Sequence, residues 1–558
     1  MLFQNLTRRV GAPLLCVLVV ASISRANAQT NETDAQGIPI DSATVLQACG
    51  SCHRPDDAGR LSRISFRRTT PEGWQQTIRR MVSLNGVELP PDTAREVVRY
   101  LSNTLGLAPE EAHPAAYEVE RRADDQPYAD ATIQEICTQC HSMGRVLSQR
   151  RTEEEWSLLM AMHRGYYPFT DFQAFRRSGP ATSEPQPVDQ AISHLSARFP
   201  FETPEWTAWS ATMRPARVAG TWVLRGHALG LGPVYGSVTI NPVPNSADEF
   251  TTTTTYVYAR DGRQVTRTGQ ALIYTGFQWR GRSSADNGDV LREVMFVDRN
   301  LRTMHGRWFT GAYDEDGLDI TLERIGGQPV VAGVHPAALP TGTVQSLQLH
   351  GLNLTPEAQA TAIDLGPGIE VVEVLGGDNN QLDVRVQIDV EAALGHRDLF
   401  FDQATVAKAV TVYNDVDRIA VTPTAGMARV GGVRFPKQYQ QFEARAYHDG
   451  PDGESNTADD FDLGVVDVDW SIEEYAVTIG DDDTRYVGTI DDIGRFTPAI
   501  DGPNLERSGE RNNIGDVWVV AAYPAEGNAD EQLRARGHLV VTVPLYLRWD
   551  PSAVEEEP

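Results

Sequence analysis

Two copies of one motif, Cys49-Gly50-Ser51-Cys52-His53 and Cys137-Thr138-Gln139-Cys140-His141, use four of the five cysteines in the 558-residue chain. In C-x-x-C-H both thiols add to the vinyl groups of a porphyrin, and the following histidine is placed to ligate the iron. The motif pair therefore predicts two covalently held haem c groups. Cys49, Cys52, Cys137 and Cys140 would attach them, with His53 and His141 as iron ligands. C-x-x-C pairs also form disulfides and zinc sites, but neither needs a histidine directly after the second cysteine in both copies. The chemistry to expect is electron transfer.

The fifth cysteine, Cys16, lies in residues 1–28, which read as a signal peptide: Arg8 and Arg9, an apolar run from Gly11 to Ser24, then Ala26-Asn27-Ala28 before Gln29. That run is short for a membrane span, and no later stretch is apolar enough for one. The expected product is soluble and exported to the periplasm. Arg8, Arg9 and Arg25 leave with the signal, taking the net charge from −27 to near −30. Such acidity argues against nucleic-acid binding. Arginines nevertheless crowd the region around the motifs (Arg60, Arg63, Arg67, Arg68, Arg79, Arg80, Arg121, Arg122, Arg145, Arg150, Arg151). They read as a solvated surface with a few contacts to haem propionates.

The period of the sequence divides the chain. From about 40 to 200 it is helical. Asp41 to Ala48 leads into the first motif, and Thr70-Pro71-Glu72 caps a helix through Met81. Asp92 to Leu101 is amphipathic, and Thr132–Glu135 and Thr152–Glu155 have capping-box spacing. From about 215 the period is two. Thr251 to Ala259 and Gln264 to Thr268 flank an Asp-Gly turn, and Leu382 to Val390 alternates without a break. Val517 to Ala522 and His538 to Leu547 add valine-rich strands. The expected fold is multidomain: an all-α dihaem cytochrome c domain followed by all-β domains, an antiparallel barrel and immunoglobulin-like sandwiches. The divisions are 29–205 for the haem domain (lobes 29–112 and 113–205), 215–328 for the barrel, and 329–418 and 419–550 for the sandwiches. Gly326 to Pro329 and the stretch near Val421-Thr422-Pro423 mark boundaries within the β half.

The helical half repeats itself. Thr70, Trp74 and Met81 follow the first motif with the spacing that Thr152, Trp156 and His163 show after the second. Seven residues are two helical turns, so tryptophan and final residue share a face. That face would close the distal side of each haem, with Met81 the sixth ligand of the first iron and His163 of the second. Met160 and Met162 are rivals to His163, and His113 and His194 are further possibilities. Methionine raises a haem potential relative to a second histidine, so the two sites would be unlike.

The β half offers little chemistry. Asp449, Asp452, Asp459 and Asp460 have acid spacing that could hold calcium, but the loop lacks the twelfth-position glutamate of an EF-hand, and an acidic surface loop fits better. His305, His335, His350 and His448 form no local metal or catalytic spacing. Neither G-x-S-x-G nor a dinucleotide fingerprint is present.

Two unlike c-haem lobes ahead of three β domains resemble the alpha subunit of quinohemoprotein amine dehydrogenase. The residues that carry the resemblance are Cys49 to His53, Arg79-Arg80-Met81-Val82, Val97 to Leu101 with Gly106 to Pro109, Cys137 to Ser142, and Gln149 to Trp156. The resemblance implies one subunit of a periplasmic heterotrimer that oxidises primary amines to aldehydes and ammonia. A β-propeller subunit and a small subunit bearing cysteine tryptophylquinone would be its partners. This chain would take electrons from the quinone and pass them through its haems to a soluble cytochrome or copper protein. The catalytic quinone would lie on the small partner, and no catalytic residue is expected here; the chain has no cysteine left to build one. Alternatives are a dihaem cytochrome c peroxidase-like enzyme, which the long β half disfavours, and a stand-alone dihaem electron carrier.

Overall fold

The computed structural model describes residues 37–115, 128–177, 179–180, 182–310, 317–476, 481–524 and 532–544. The proposed signal segment, Arg121 and Arg122 lie outside the described residues.

The first helices form where the sequence provides caps. Helix α1 (Ala43–Cys49) starts on Ser42, whose hydroxyl accepts from the Val45 N–H, and its last residue is the first cysteine of the first motif. Thr70 caps α2 (Pro71–Asn85) with proline at its first position, and Gly86 closes it in the left-handed conformation at φ 66°. Next come α3 (Pro91–Thr104), α4 (Pro109–Ala112) and α5 (Ala131–Cys137), the last ending on the first cysteine of the second motif. Asp130, not Thr132, caps α5 by accepting from the Ile133 N–H. Thr132 falls inside the first turn, so the capping box expected at Thr132–Glu135 does not form. After α6 (Gly144–Leu147), Thr152 caps α7 (Glu153–Tyr166). The Glu155 carboxylate turns to Arg63, 2.8 Å away, and to Arg151, 3.4 Å away. Helices α8 (Pro187–Arg198) and α9 (Pro204–Thr212) complete the helical region.

A short ribbon, with one strand after each motif, links the two lobes. Strand β1 (Arg67–Thr69) pairs antiparallel with β2 (Gln149–Arg151), matching Arg67 with Arg151 and Arg68 with Arg150. All four arginines are buried, which corrects the expectation of a solvated arginine surface at these positions. Burial is tolerable where partners exist. The Arg68 guanidinium, fully enclosed, donates to both oxygens of Glu111 at 2.8 and 2.9 Å, to the carbonyls of Phe201 and Gly106, and to the Thr203 hydroxyl. Glu111 also pairs with Arg150 at 3.2 Å and accepts from the Ala108 N–H at 2.9 Å. Burial alone would raise the pKa of Glu111, but Arg68 and Arg150 hold it below the usual carboxylate range.

Eight antiparallel strands follow as a closed barrel: β3 (Gly220–Ala228), β4 (Gly232–Pro242), β5 (Glu249–Tyr258), β6 (Gln264–Tyr274), β7 (Gln278–Ala285), β8 (Val290–Val297), β9 (Thr303–Phe309) and β10 (Gly317–Arg324). The expected hairpin is β5–β6. Alternation along the strands sends Trp222, Trp279 and Trp308 into the interior, so the barrel is filled by side chains. The helical region docks on it through polar and close contacts. The Asn103 side chain accepts from the Thr275 N–H at 2.7 Å, Trp209 donates to the Thr275 carbonyl at 2.9 Å, and Arg99 pairs with Asp248. At Gly106 a Cβ would stand 2.2 Å from the Ser102 carbonyl and 2.5 Å from the Thr275 methyl, so only glycine fits this approach.

Beyond Gly326 to Pro329, two four-stranded sheets from residues 330–413 close on one apolar core that includes Leu347, Val384, Phe401 and Val412. The alternating run at Leu382 forms the strand Gln381–Ile388. The final segment, starting with Arg418–Thr422, builds sheets of three, four and three strands around Phe442, Val519 and Leu539. Val421-Thr422-Pro423 therefore lies within this unit, in a strand and the cis-proline turn after it; the link between units is 414–417. In the acidic loop, Arg418 pairs with Asp449 and Asp460, Ser455 donates to Asp449, and Thr457 donates to Asp459. Two of its carboxylates, Asp449 and Asp460, thus share the Arg418 cation.

Glu111→Gln should destabilise the helical region by about 3 kcal/mol at neutral pH, the cost of leaving buried guanidiniums without their anion. Glu111 has a lowered folded pKa, so its contribution is present above the usual carboxylate range and is lost as pH falls through the folded value. Denaturant titrations followed by tryptophan fluorescence should show that part of the acid loss in the wild type and not in the variant.

Candidate functional site

The repeat read from the sequence is a repeat in space. Trp74 and Trp156 are each 1% exposed, and each indole N–H donates to a backbone carbonyl, Trp74 to Leu105 at 3.2 Å and Trp156 to Phe199 at 3.3 Å. Arg67 stacks over Trp74 and Arg151 over Trp156. The ribbon residues thus pack on the tryptophan that begins each distal helix.

In the second lobe the predicted residues meet. A cavity of about 300 Å³ is bordered by Cys137, Cys140 and His141 on one side and by Trp156, Leu159 and His163 on the other. The rings of His141 and His163 both border it, with centroids 6.5 Å apart and planes tilted 50° to each other. A metal–imidazole bond of about 2.0 Å puts the ring centroid roughly 3 Å from the ion, so two imidazoles on opposite sides of one metal stand roughly 6 Å apart. His141 Nδ1 donates to the Ser142 carbonyl at 2.9 Å and His163 Nδ1 to the Leu159 carbonyl at 2.8 Å. Each bond fixes the tautomer and leaves Nε2 with its lone pair for a metal. Burial, with Arg145 nearby, pushes the His141 pKa down to about 4, and burial lowers that of His163. Both are neutral, the ligating form, at pH 7. Burial also pushes the Cys137 thiol up to about 12.

In the first lobe His53 Nδ1 makes the same kind of bond, to the Ser62 carbonyl at 2.9 Å. Cys49 ends α1, and Cys52 lies three residues beyond it. Met81 is half-buried in the penultimate turn of α2, and its sulfur accepts from the Asn85 amide at 3.8 Å. Its relation to His53 rests on the repeat with α7.

Of the rivals to His163, Met160 and Met162 both border the same cavity, Met160 buried in the apolar core of the second lobe and Met162 packed against that core. His194 Nε2 is hydrogen-bonded to the Tyr128 hydroxyl at 2.8 Å, and His113 packs on Phe296 and His305 at the barrel. The sequence reading did not foresee that the first lobe lends residues to this cavity: Thr69, Gly73 and Gln76 were not singled out, and Arg67 and Arg80 were read only as members of an arginine-rich surface with a few propionate contacts. A signal existed, since paired arginines stand just ahead of T-x-x-x-W in both lobes.

Family models match nearly the whole chain. Residues 41–206 match "Quinohemoprotein amine dehydrogenase A, alpha subunit, haem binding", and 215–325, 328–414 and 419–554 match domains II, III and IV of the same alpha subunit. The chain belongs to the quinohemoprotein amine dehydrogenase alpha-subunit family. Membership makes it a haem-binding subunit of an oxidoreductase that works with partner subunits. No curated protein matches the chain. Among solved structures, a redesigned beta barrel is 17% identical, covering 20% of this chain and 97% of its own, with a TM-score of 0.18. Mouse cadherin-23 EC22-24 is 16% identical over 45% of this chain and 74% of its own, with a TM-score of 0.14. The I9–I11 tandem from titin is 10% identical over 46% and 94%, with a TM-score of 0.12. Likeness at these scores carries no argument.

The residues around the second cavity fit a haem. Two cysteines and two neutral imidazoles border it, Ile136, Val146, Leu159, Phe175 and Leu195 give it apolar surface, and Arg67, Arg80, Arg145 and Arg151 give it a cationic part. Among the described residues no helix is long and apolar enough to cross a membrane.

Proposed function

We propose that this chain is the electron-transfer subunit of a periplasmic quinohemoprotein amine dehydrogenase, with two covalently attached c-type haems. Cys49 and Cys52 would hold the first, ligated by His53 and Met81, and Cys137 and Cys140 the second, ligated by His141 and His163. The observation that carries the reading is the His141–His163 pair, its ring centroids 6.5 Å apart at a cavity edged by two cysteines. A haem supplies a one-electron couple whose potential depends on its axial ligands. The chain's own residues do the rest. The backbone carbonyls of Ser62, Ser142 and Leu159 hold three imidazoles in the ligating tautomer, and Trp74 and Trp156 anchor the distal helices.

In this reading the subunit accepts electrons from cysteine tryptophylquinone on a small partner, which oxidises primary amines to aldehydes and ammonia. It passes them to a soluble cytochrome or copper protein. A β-propeller subunit completes the heterotrimer. Residues 1–28 act as the export signal, and the two C-terminal units are immunoglobulin-like sandwiches. Supporting the division of labour, all four cysteines left after export lie in the two motifs.

His163→Ala should convert the second haem from low-spin to high-spin or five-coordinate. Met81→Ala should abolish the sulfur-to-iron charge-transfer band at the red end of the oxidised spectrum. A band that survives in Met81→Ala would put the first haem's sixth ligand elsewhere. For the assembly, affinity purification from the native periplasm should recover two further subunits, one small and quinone-staining. Recovery of the chain alone, with unaided peroxide turnover, would favour a peroxidase.

A further inference from the structure

The wall of the second cavity nearest the first lobe comes from β1 and α2, and it is cationic: Arg67 and Arg80 both line it. Arg67 is 8% exposed, and its guanidinium donates to the Thr77 hydroxyl at 2.7 Å while its Nε has no hydrogen-bond partner. Arg80 also donates to the Thr77 hydroxyl, at 3.3 Å, and its buried Nε is likewise without a partner.

Among the described residues no carboxylate forms an ion pair with either. Glu155 is taken by Arg63 and Arg151, and Glu111 by Arg68 and Arg150. Burial, then the charges of Arg151 and Arg80, push the Arg67 pKa down. Buried cations without an anion are costly, and unsatisfied buried polar atoms call for an explanation. Arg68, on the same strand, shows the alternative: all of its partners are protein groups. Arg67 and Arg80 instead border a space of about 300 Å³.

We propose that Arg67 and Arg80 receive the two propionate carboxylates of the haem in the second lobe, so that the first lobe supplies the counter-charge for the second lobe's cofactor. The proposal rests on the reading that Cys137, Cys140 and His141 hold that haem. Guanidinium and carboxylate make planar, charge-assisted pairs that satisfy both groups. Two cations held beside the haem in a poorly solvated wall favour the reduced iron and raise its potential. The arrangement also explains why β1 and α2, first-lobe elements, close this cavity: the second haem completes the lobe–lobe interface.

The test uses the purified holo-complex and resolves the midpoint potentials of the two haems by spectroelectrochemistry. R67Q and R80Q should each lower the second haem's potential, and the double variant should lower it further, with a clearly smaller change at the first haem. R67K and R80K, which keep the charge and guard against misfolding, should recover most of the shift. The carboxylate bands of the redox-difference infrared spectrum should move in the glutamine variants. An unchanged second potential in the folded double variant, or equal shifts in both haems, would overturn the proposal. Absence of haem mass on the wild-type peptide containing Cys137 and Cys140 would sink the underlying reading, and this proposal with it, before any potential is measured.

Discussion

The ladder between Arg67–Thr69 and Gln149–Arg151 is the constraint on which the helical half depends. It brings residues some eighty positions apart into register, and it buries four arginines that must find anions or acceptors. Arg68 and Arg150 find Glu111, which stands at the start of α4 where the chain turns toward the barrel. Arg151 finds Glu155 in the first turn of α7. The ribbon thus fixes both distal helices relative to each other. Because Thr70 and Thr152 directly follow its two strands as helix caps, the position of each distal helix follows from the ribbon.

One plan serves two different sites. The capping threonine, the buried tryptophan donating to a carbonyl, and the arginine stacked on its ring recur in both lobes. Two turns beyond the tryptophan stands a methionine in one lobe and a histidine in the other. In the proposed reading, that one side chain on a common scaffold would separate the two haem potentials and so give electron flow a direction without a second fold. The β units contribute differently. Gly106 and Asn103 at the barrel seam, with Glu111 nearby, tie the helical region to a rigid filled barrel.

What could be read in the sequence was local. The C-x-x-C-H motifs, the threonine caps, the tryptophan spacing, the β5–β6 hairpin and the strand at Leu382 are short-range patterns, and each appears in the structure. The misses share a cause. Asp130 outcompetes Thr132 because the chain enters α5 two residues earlier than the capping pattern implied. The punctuation at Val421-Thr422-Pro423 is a strand end and turn just inside the last unit, a few residues past the link at 414–417 and next to the division placed at 418/419. The arginines looked like surface because their partners, Glu111 and the cavity, are distant in sequence. That Arg67 and Arg80 of one lobe wall the cavity of the other is a fact of tertiary pairing, invisible to any window of residues.

The most direct measurement is the intact mass of the purified chain, denatured and treated with a thiol-alkylating reagent. Two covalently bound haems use all four motif thiols, so the polypeptide should carry two haem masses and take up no reagent. One haem mass with two alkylated cysteines, or no haem and four alkylated cysteines, would contradict the assignment of a dihaem electron-transfer chain.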